Sequence, residues 1–200
     1  MTEEFAPFDS KYDRFLAGEY TFTPEEELGR LLFFSEQFTN CNQCHQLHTS
    51  PIAEQETFSD YRYYNIGVPS NIAGRRANGV APETVDHGLL GNPAVSDPSE
   101  DGKFRTPTLR NVAVTGPYMH NGVFENLRTV VLFYNKFNSQ AEARQINPET
   151  GAPWREPQVN GTLAEQELTH GPALDDQRID ALVAFMETLT DARYEDLLEP

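Results

Sequence analysis

The sequence predicts a mostly α domain with long irregular loops. Two observations predict it. Helical spacing of apolar residues recurs in three stretches, near 23–32, 124–137 and 175–189, and the chain between them is rich in Gly, Pro, Asn and Asp with little periodicity. A third observation, two Cys three apart followed by His at 41–45, says what such loops could pack against.

The elements follow in chain order. Thr23-Pro24-Glu25-Glu26 reads as a helix start, with Thr23 as N-cap, Pro24 at the first helical position and Glu26 closing a capping box. Leu28, Leu31 and Leu32 continue it at helical spacing and lead the chain to Phe38-Thr39-Asn40. From Ser50 to Pro117 the pattern is that of an ordered loop with short helical turns. A second helix is expected from Phe124 to Phe137, burying Leu127, Val130, Val131 and Tyr134 on one face. Residues 138 to 172 read as another long surface loop, in which Trp154, the only Trp, is expected to anchor packing rather than to carry electrons. A third helix starts at Asp175 or Asp176 and aligns Ile179, Leu182, Val183, Met186 and Leu189.

Composition bounds the rest. With 200 residues, 38% of them hydrophobic and 11% aromatic, the chain can bury one core, so a single domain over 1–200 with large loops is expected. No run of eighteen apolar residues exists, so no membrane span is predicted. A formal net charge of −16 with scattered Lys and Arg argues against nucleic acid. It suits a basic redox partner or Ca²⁺ gathered by acidic loops, against the plainer alternative of a solvated acidic face.

The motif Cys41-Asn42-Gln43-Cys44-His45 carries the chemistry. With two Cys and five His placed at random, it would arise in roughly one chain in 4,000, so chance is a poor explanation. Two thiols one turn apart can add across the two vinyl groups of one porphyrin, and the next residue then offers its imidazole to iron. One covalent haem c on Cys41 and Cys44, with His45 as proximal ligand, is therefore expected, and the fold class sharpens to a cytochrome c-like haem domain. The rival readings are a redox-active Cys pair, which wants a βαβ context that is absent, and half a zinc site, for which His48 supplies at best one more ligand. Covalent haem attachment takes place in the periplasm or an equivalent compartment. Met1 to Phe8 shows no basic segment followed by an apolar run, so a processed form, or a piece of a longer exported protein, is expected.

The second axial position separates electron transfer from chemistry on a bound ligand. Met119, in Gly116-Pro117-Tyr118-Met119-His120-Asn121-Gly122, sits in a loop of the sort that presents Met to iron, with His120 beside it. Tyr134 lies on the expected apolar face of the second helix, where a core Tyr is the ordinary alternative.

Further segments carry a resemblance. Phe58-Ser59-Asp60, Tyr64-Asn65-Ile66-Gly67-Val68-Pro69, the run Gly102-Lys103-Phe104-Arg105-Thr106-Pro107-Thr108-Leu109-Arg110-Asn111-Val112, the loop Pro117 to Gly122, and Val130 to Asn135 resemble the C-terminal haem domain of the bacterial di-haem cytochrome c peroxidases. The same domain occurs in the related enzyme that matures tryptophan tryptophylquinone in methylamine dehydrogenase. The resemblance runs from Phe8 to Asp191. It implies that the sixth ligand lies on the helix after the Pro-Tyr loop, at Tyr134, with Met119 as the alternative. It also implies a Ca²⁺ held by the backbone carbonyls of Thr115 and Pro117, together with a ligand from the other haem domain of the family. Two Cys suffice for one haem, so the peroxidatic N-terminal domain is expected to lie outside this chain.

Three functions are open at this point. The leading one is an electron-transfer haem domain working with another redox protein or haem domain. The second is a stand-alone peroxidase reacting with H₂O₂ at this iron, for which His120, Glu125 and Arg128 are the polar candidates, although no pairing singles out a catalytic residue. The third is a haem-based sensor or structural module.

Overall fold

The computed structural model describes residues 8–47 and 56–198. His48 therefore lies outside the described residues. The chain divides into two compact units, one of 1–60, 107–115 and 174–200, the other of 61–106 and 116–173.

The first unit is built on three helices, α1 (Lys11–Leu16), α2 (Pro24–Phe33) and, later in the chain, the helix Asp176–Glu187. The expected start of α2 is present: the Thr23 hydroxyl accepts from Glu26 N at 3.2 Å, and the Glu26 carboxylate accepts from Thr23 N at 2.8 Å. Leu32 is buried, but Leu31 is 55% exposed, so the stripe is narrower than three leucines suggested. The reason is Gly29. A Cβ there would stand 1.8 Å from the Ala181 carbonyl oxygen, so α2 crosses the later helix backbone to backbone and buries its Gly29–Leu32–Phe33 side. α1 was not anticipated, although Ser10 and Asp13 form a second capping box.

Phe185 is the hub of this core. Its ring lies 5.2 Å from Phe33, 6.0 Å from Tyr12 and 6.4 Å from Phe22, and Phe58 completes the cluster 5.1 Å from Tyr12. Phe33, Phe58 and Phe185 are fully buried. At about 1.5–3 kcal/mol for each large apolar side chain, this cluster supplies a large part of the unit's stability.

The second unit holds α3 (Ile72–Ala77), α4 (Leu127–Asn135) and α5 (Glu165–Leu168). It also holds two antiparallel ladders, β1 (Tyr63–Tyr64) with β2 (Phe104–Arg105) and β3 (Ile146–Asn147) with β4 (Ala152–Pro153). With these named, the helix Asp176–Glu187 is α6. Its N-cap is Asp175, whose carboxylate accepts from Arg178 N at 2.9 Å.

Phe124, Phe133 and Trp154 form the aromatic core of the second unit, Trp154 lying 5.7 Å from each of the other two rings. Its indole N–H donates to the Arg144 carbonyl at 2.8 Å, so Trp154 anchors the loop as expected. The Lys136 ammonium lies over Phe133 at 4.2 Å and Phe137 at 4.7 Å, and burial pushes its pKa down to about 8. Loops are held by side chains rather than by sheet. Asn65, 4% exposed, donates to the Val159 carbonyl and to Thr162 Oγ1, both at 2.9 Å, and accepts from Gly67 N at 3.0 Å. Helix is the main regular structure, but loop outweighs it among the described residues, so "mostly α" describes the elements and not the chain. No helix among the described residues is long and apolar enough to cross a membrane.

Candidate haem site

The motif lies in the first unit, directly after α2. Thr39 ties the end of α2 to it by donating from Oγ1 to the Leu32 carbonyl at 2.5 Å. Asn40 takes the left-handed conformation, φ 57°, which Asn tolerates better than most residues, and this turns the chain into a 3-10 turn over Cys41–Gln43. His45 N donates to the Cys41 carbonyl at 2.9 Å and closes the turn. Cys41, Cys44 and His45 are thus presented within one turn, all three half-buried.

His45 is held in one tautomer. Its Nδ1 lies 3.0 Å from the Phe58 carbonyl oxygen, which can only accept, so Nδ1 carries the proton and Nε2 keeps the lone pair. Burial pushes the imidazole pKa down despite the Phe58 carbonyl and Asp60, so the neutral ring is favoured. A second tie holds the same segment, Asp60 N donating to the Cys44 carbonyl at 2.8 Å. A neutral imidazole whose Nδ1–H is held by the Phe58 carbonyl, beside two thiols one turn apart, is the donor set that a covalent haem requires. The residues therefore fit a haem c, which Cys41 and Cys44 would anchor and His45 would ligate.

The redox-thiol reading finds less support. Burial pushes the Cys41 thiol pKa up, whereas reactive redox thiols have it lowered. Among the described residues, which leave out His48, no three His, Cys, Asp or Glu side chains gather, so the zinc reading is not tested.

The other predicted iron ligands, Tyr134 and Met119, lie in the second unit. α4 buries Leu127, Thr129, Val131, Leu132, Phe133 and Asn135. Val130 is only half-buried, and Tyr134, one turn on, is 36% exposed. The expected single face is thus split: Leu127 and Val131 enter the core, while Val130 and Tyr134 form an apolar strip outside it. A core tyrosine is not what the fold makes of Tyr134. Met119 is half-buried, with φ 68°, in a turn pinned by Tyr118 N donating to the Phe124 carbonyl at 2.7 Å.

His120 stacks on Phe104, ring centroids 3.4 Å apart, and keeps an exposed edge; desolvation pushes its pKa down to about 4, with Asp86 opposing the shift and Arg75 adding to it. Glu125 is exposed, and its backbone N–H and that of Asn126 both donate to the Glu149 carboxylate. Arg128 is half-buried on α4. Thr115 closes the turn Val112–Val114 with its hydroxyl donating to the Val112 carbonyl at 3.2 Å, and Gly116–Pro117 is a cis peptide.

What the sequence did not reveal is the Phe58 carbonyl, the acceptor that orients His45. A backbone carbonyl carries no side-chain signature, and the positive φ of Phe58, 53°, is not readable from a Phe.

No protein-family model matches the chain. Over 198 residues it is 57% identical to the methylamine utilization protein MauG of Paracoccus denitrificans, covering 99% of this chain and 50% of that one. It is 34% identical over 143 residues to a cytochrome-c peroxidase of Denitromonas iodatirespirans, covering 62% of this chain and 35% of that one. Among solved structures, the diheme peroxidase BthA of Burkholderia thailandensis superposes with a TM-score of 0.77 at 36% identity, covering 99% of this chain and 50% of that one. A MauG-like protein associated with microbial copper homeostasis superposes with a TM-score of 0.63 at 31% identity, covering 96% and 50%. This chain therefore spans half or less of the length of these curated relatives. Together with the Cys41–His45 turn and its anchored imidazole, these likenesses make the chain a member of the MauG-like di-haem peroxidase family.

Proposed function

We propose that this chain acts as a single haem c electron-transfer domain of a di-haem peroxidase or MauG-like system, with iron held between His45 and Tyr134. The observation that carries the reading is the turn itself, two cysteines and a neutral histidine whose Nδ1–H is fixed on the Phe58 carbonyl. Cys41 and Cys44 would form the two thioether bonds to the haem, and His45 would offer its imidazole to the iron. The haem, when bound, supplies a one-electron iron couple whose potential the axial ligands set.

Tyr134 is preferred over Met119 because the family resemblance points to it and because α4 leaves it outside the core in an apolar strip with Val130. A phenolate oxygen there stabilises oxidised iron and lowers the potential, where the thioether of Met119 would raise it. Thr115 and Pro117 remain the candidate carbonyl ligands for a Ca²⁺ shared with another haem domain. The net charge of −16 favours a basic redox partner, and covalent haem attachment supports a periplasmic location.

The test is the spectrum of the Tyr134→Phe holoprotein. A low-spin ferric wild type that turns high-spin and opens to cyanide supports the reading, and Tyr134→Met should restore low-spin iron at a higher potential. An unchanged Tyr134→Phe spectrum would return the position to Met119. A high-spin wild type would favour the stand-alone peroxidase.

A further inference from the structure

Three consecutive carbonyls in the segment that anchors His45 are each held by a different side chain. Arg110 Nε donates to the Glu56 carbonyl at 2.8 Å, Thr108 Oγ1 to the Thr57 carbonyl at 2.6 Å, and His45 Nδ1 to the Phe58 carbonyl at 3.0 Å. Thr108 and Arg110 are themselves linked, since the Thr108 hydroxyl accepts from Arg110 N at 3.1 Å.

Arg110 is in turn fixed from below. Its side chain is 9% exposed and forms a two-pronged ion pair with Asp13, Nη1 to Oδ2 at 2.6 Å and Nη2 to Oδ1 at 2.9 Å. Its guanidinium lies 5.4 Å from the Phe58 ring, and Asp13 is locked by the capping box of α1. A rigid path thus runs from α1 through Asp13 and Arg110 to residues 56–58. Nothing in the capping of α1 or the packing of Phe58 requires three successive carbonyls to be captured. Such capture matters where one of those oxygens must not move.

We infer that Thr108 and Arg110 are positioning residues for the iron ligand: by clamping residues 56–57 they fix the Phe58 carbonyl that orients His45. The inference rests on His45 being the proximal ligand. Its physical basis is that an acceptor held on Nδ1–H sets the ring orientation and raises the donor strength of Nε2. A stronger donor stabilises ferric iron, so loosening the clamp should shift the couple toward the ferrous form.

The experiment uses the holoprotein and its Thr108→Val, Thr108→Ser and Arg110→Lys variants. Its readouts are the reduction potential and the solvent exchange of the His45 Nδ1 proton by NMR. Thr108→Val removes the hydroxyl at constant volume and should favour the ferrous form several-fold, on a scale of about 59 mV per tenfold for one electron, with faster exchange of that proton. Thr108→Ser should restore both values. Arg110→Lys, which keeps the charge but loses the fork, should move both in the direction of Thr108→Val. Leu182→Ala is the control for general loosening of this unit and should leave the potential where it is. Unchanged potential and exchange in Thr108→Val, or an equal shift in Leu182→Ala, overturns the inference. A His45→Gly variant separates the two readings: if its haem spectrum matches wild type, the ligand assignment itself fails, and if it differs while the clamp variants stay silent, only this inference does.

Discussion

The imidazole of His45 shows how a single hydrogen bond selects chemistry. A carbonyl acceptor on one nitrogen leaves the other as a lone-pair donor at any pH where the ring is neutral, and burial extends that range downward. Glu187 is a second residue where burial sets the charge. Desolvation at the end of α6 raises its pKa, Lys11 opposes the shift, and Glu25 and Glu26 add to it. The folded state then holds this proton to higher pH than the unfolded chain does. Its contribution is present below the ordinary carboxyl pKa and is lost as pH rises through the raised value. Glu187→Gln should therefore raise the melting temperature at pH 7 and flatten its pH dependence above the ordinary carboxyl pKa, read by thermal denaturation at several pH values. Asn65 makes the opposite case, a buried polar group that is fully used. Asn65→Ala removes the donor to the Val159 carbonyl and the acceptor of the buried Gly67 N–H, and should cost about 2–3 kcal/mol in urea unfolding.

At the scale of elements, the α2–α6 crossing is the most demanding contact in the first unit. A Cβ at Gly29 has no room short of moving Ala181's backbone, so Gly29→Ala should destabilise by about 3 kcal/mol or more, beyond ordinary overpacking. Phe185→Ala should cost about 3–5 kcal/mol, since four aromatic neighbours lose their partner. Equilibrium unfolding of the two variants measures both. The elements also show which signals a sequence carries. α2 was legible because its capping box, N1 proline and leucines agree with one another. α1 has a capping box as well, but six residues are too few to display a period, and it is tied into the fold by Tyr12 in the aromatic cluster and by Asp13 meeting Arg110, ninety-seven positions away. On α4 the period was legible and the face was not, because four apolar side chains at helical spacing do not say which pair turns inward.

For the whole molecule, charge and cofactor are the properties that matter. A surface with net charge −16 would steer the basic redox partner proposed above. Electron exchange with such a partner should slow about tenfold or more between about 10 mM and 200 mM salt, measured by stopped flow, whereas an acidic partner should show the reverse trend. The haem motif was legible because covalent attachment demands a fixed local spacing of Cys, Cys and His. The support beneath it was not, because Glu56, Thr57, Phe58, Thr108, Arg110 and Asp13 come together only through tertiary structure. The loops between 61 and 106 are ordered for the same reason, by side chains such as Asn65 that reach across long sequence gaps.

The claim beneath all of this is that Cys41 and Cys44 carry one haem by covalent bonds, and the mass of the denatured protein tests it most directly. The account predicts the chain mass plus one haem after acid–solvent extraction, with haem retention weakened in Cys41→Ala or Cys44→Ala and absent when both are replaced. A bare chain mass after extraction of the wild type, or haem retained in the double variant, would contradict it.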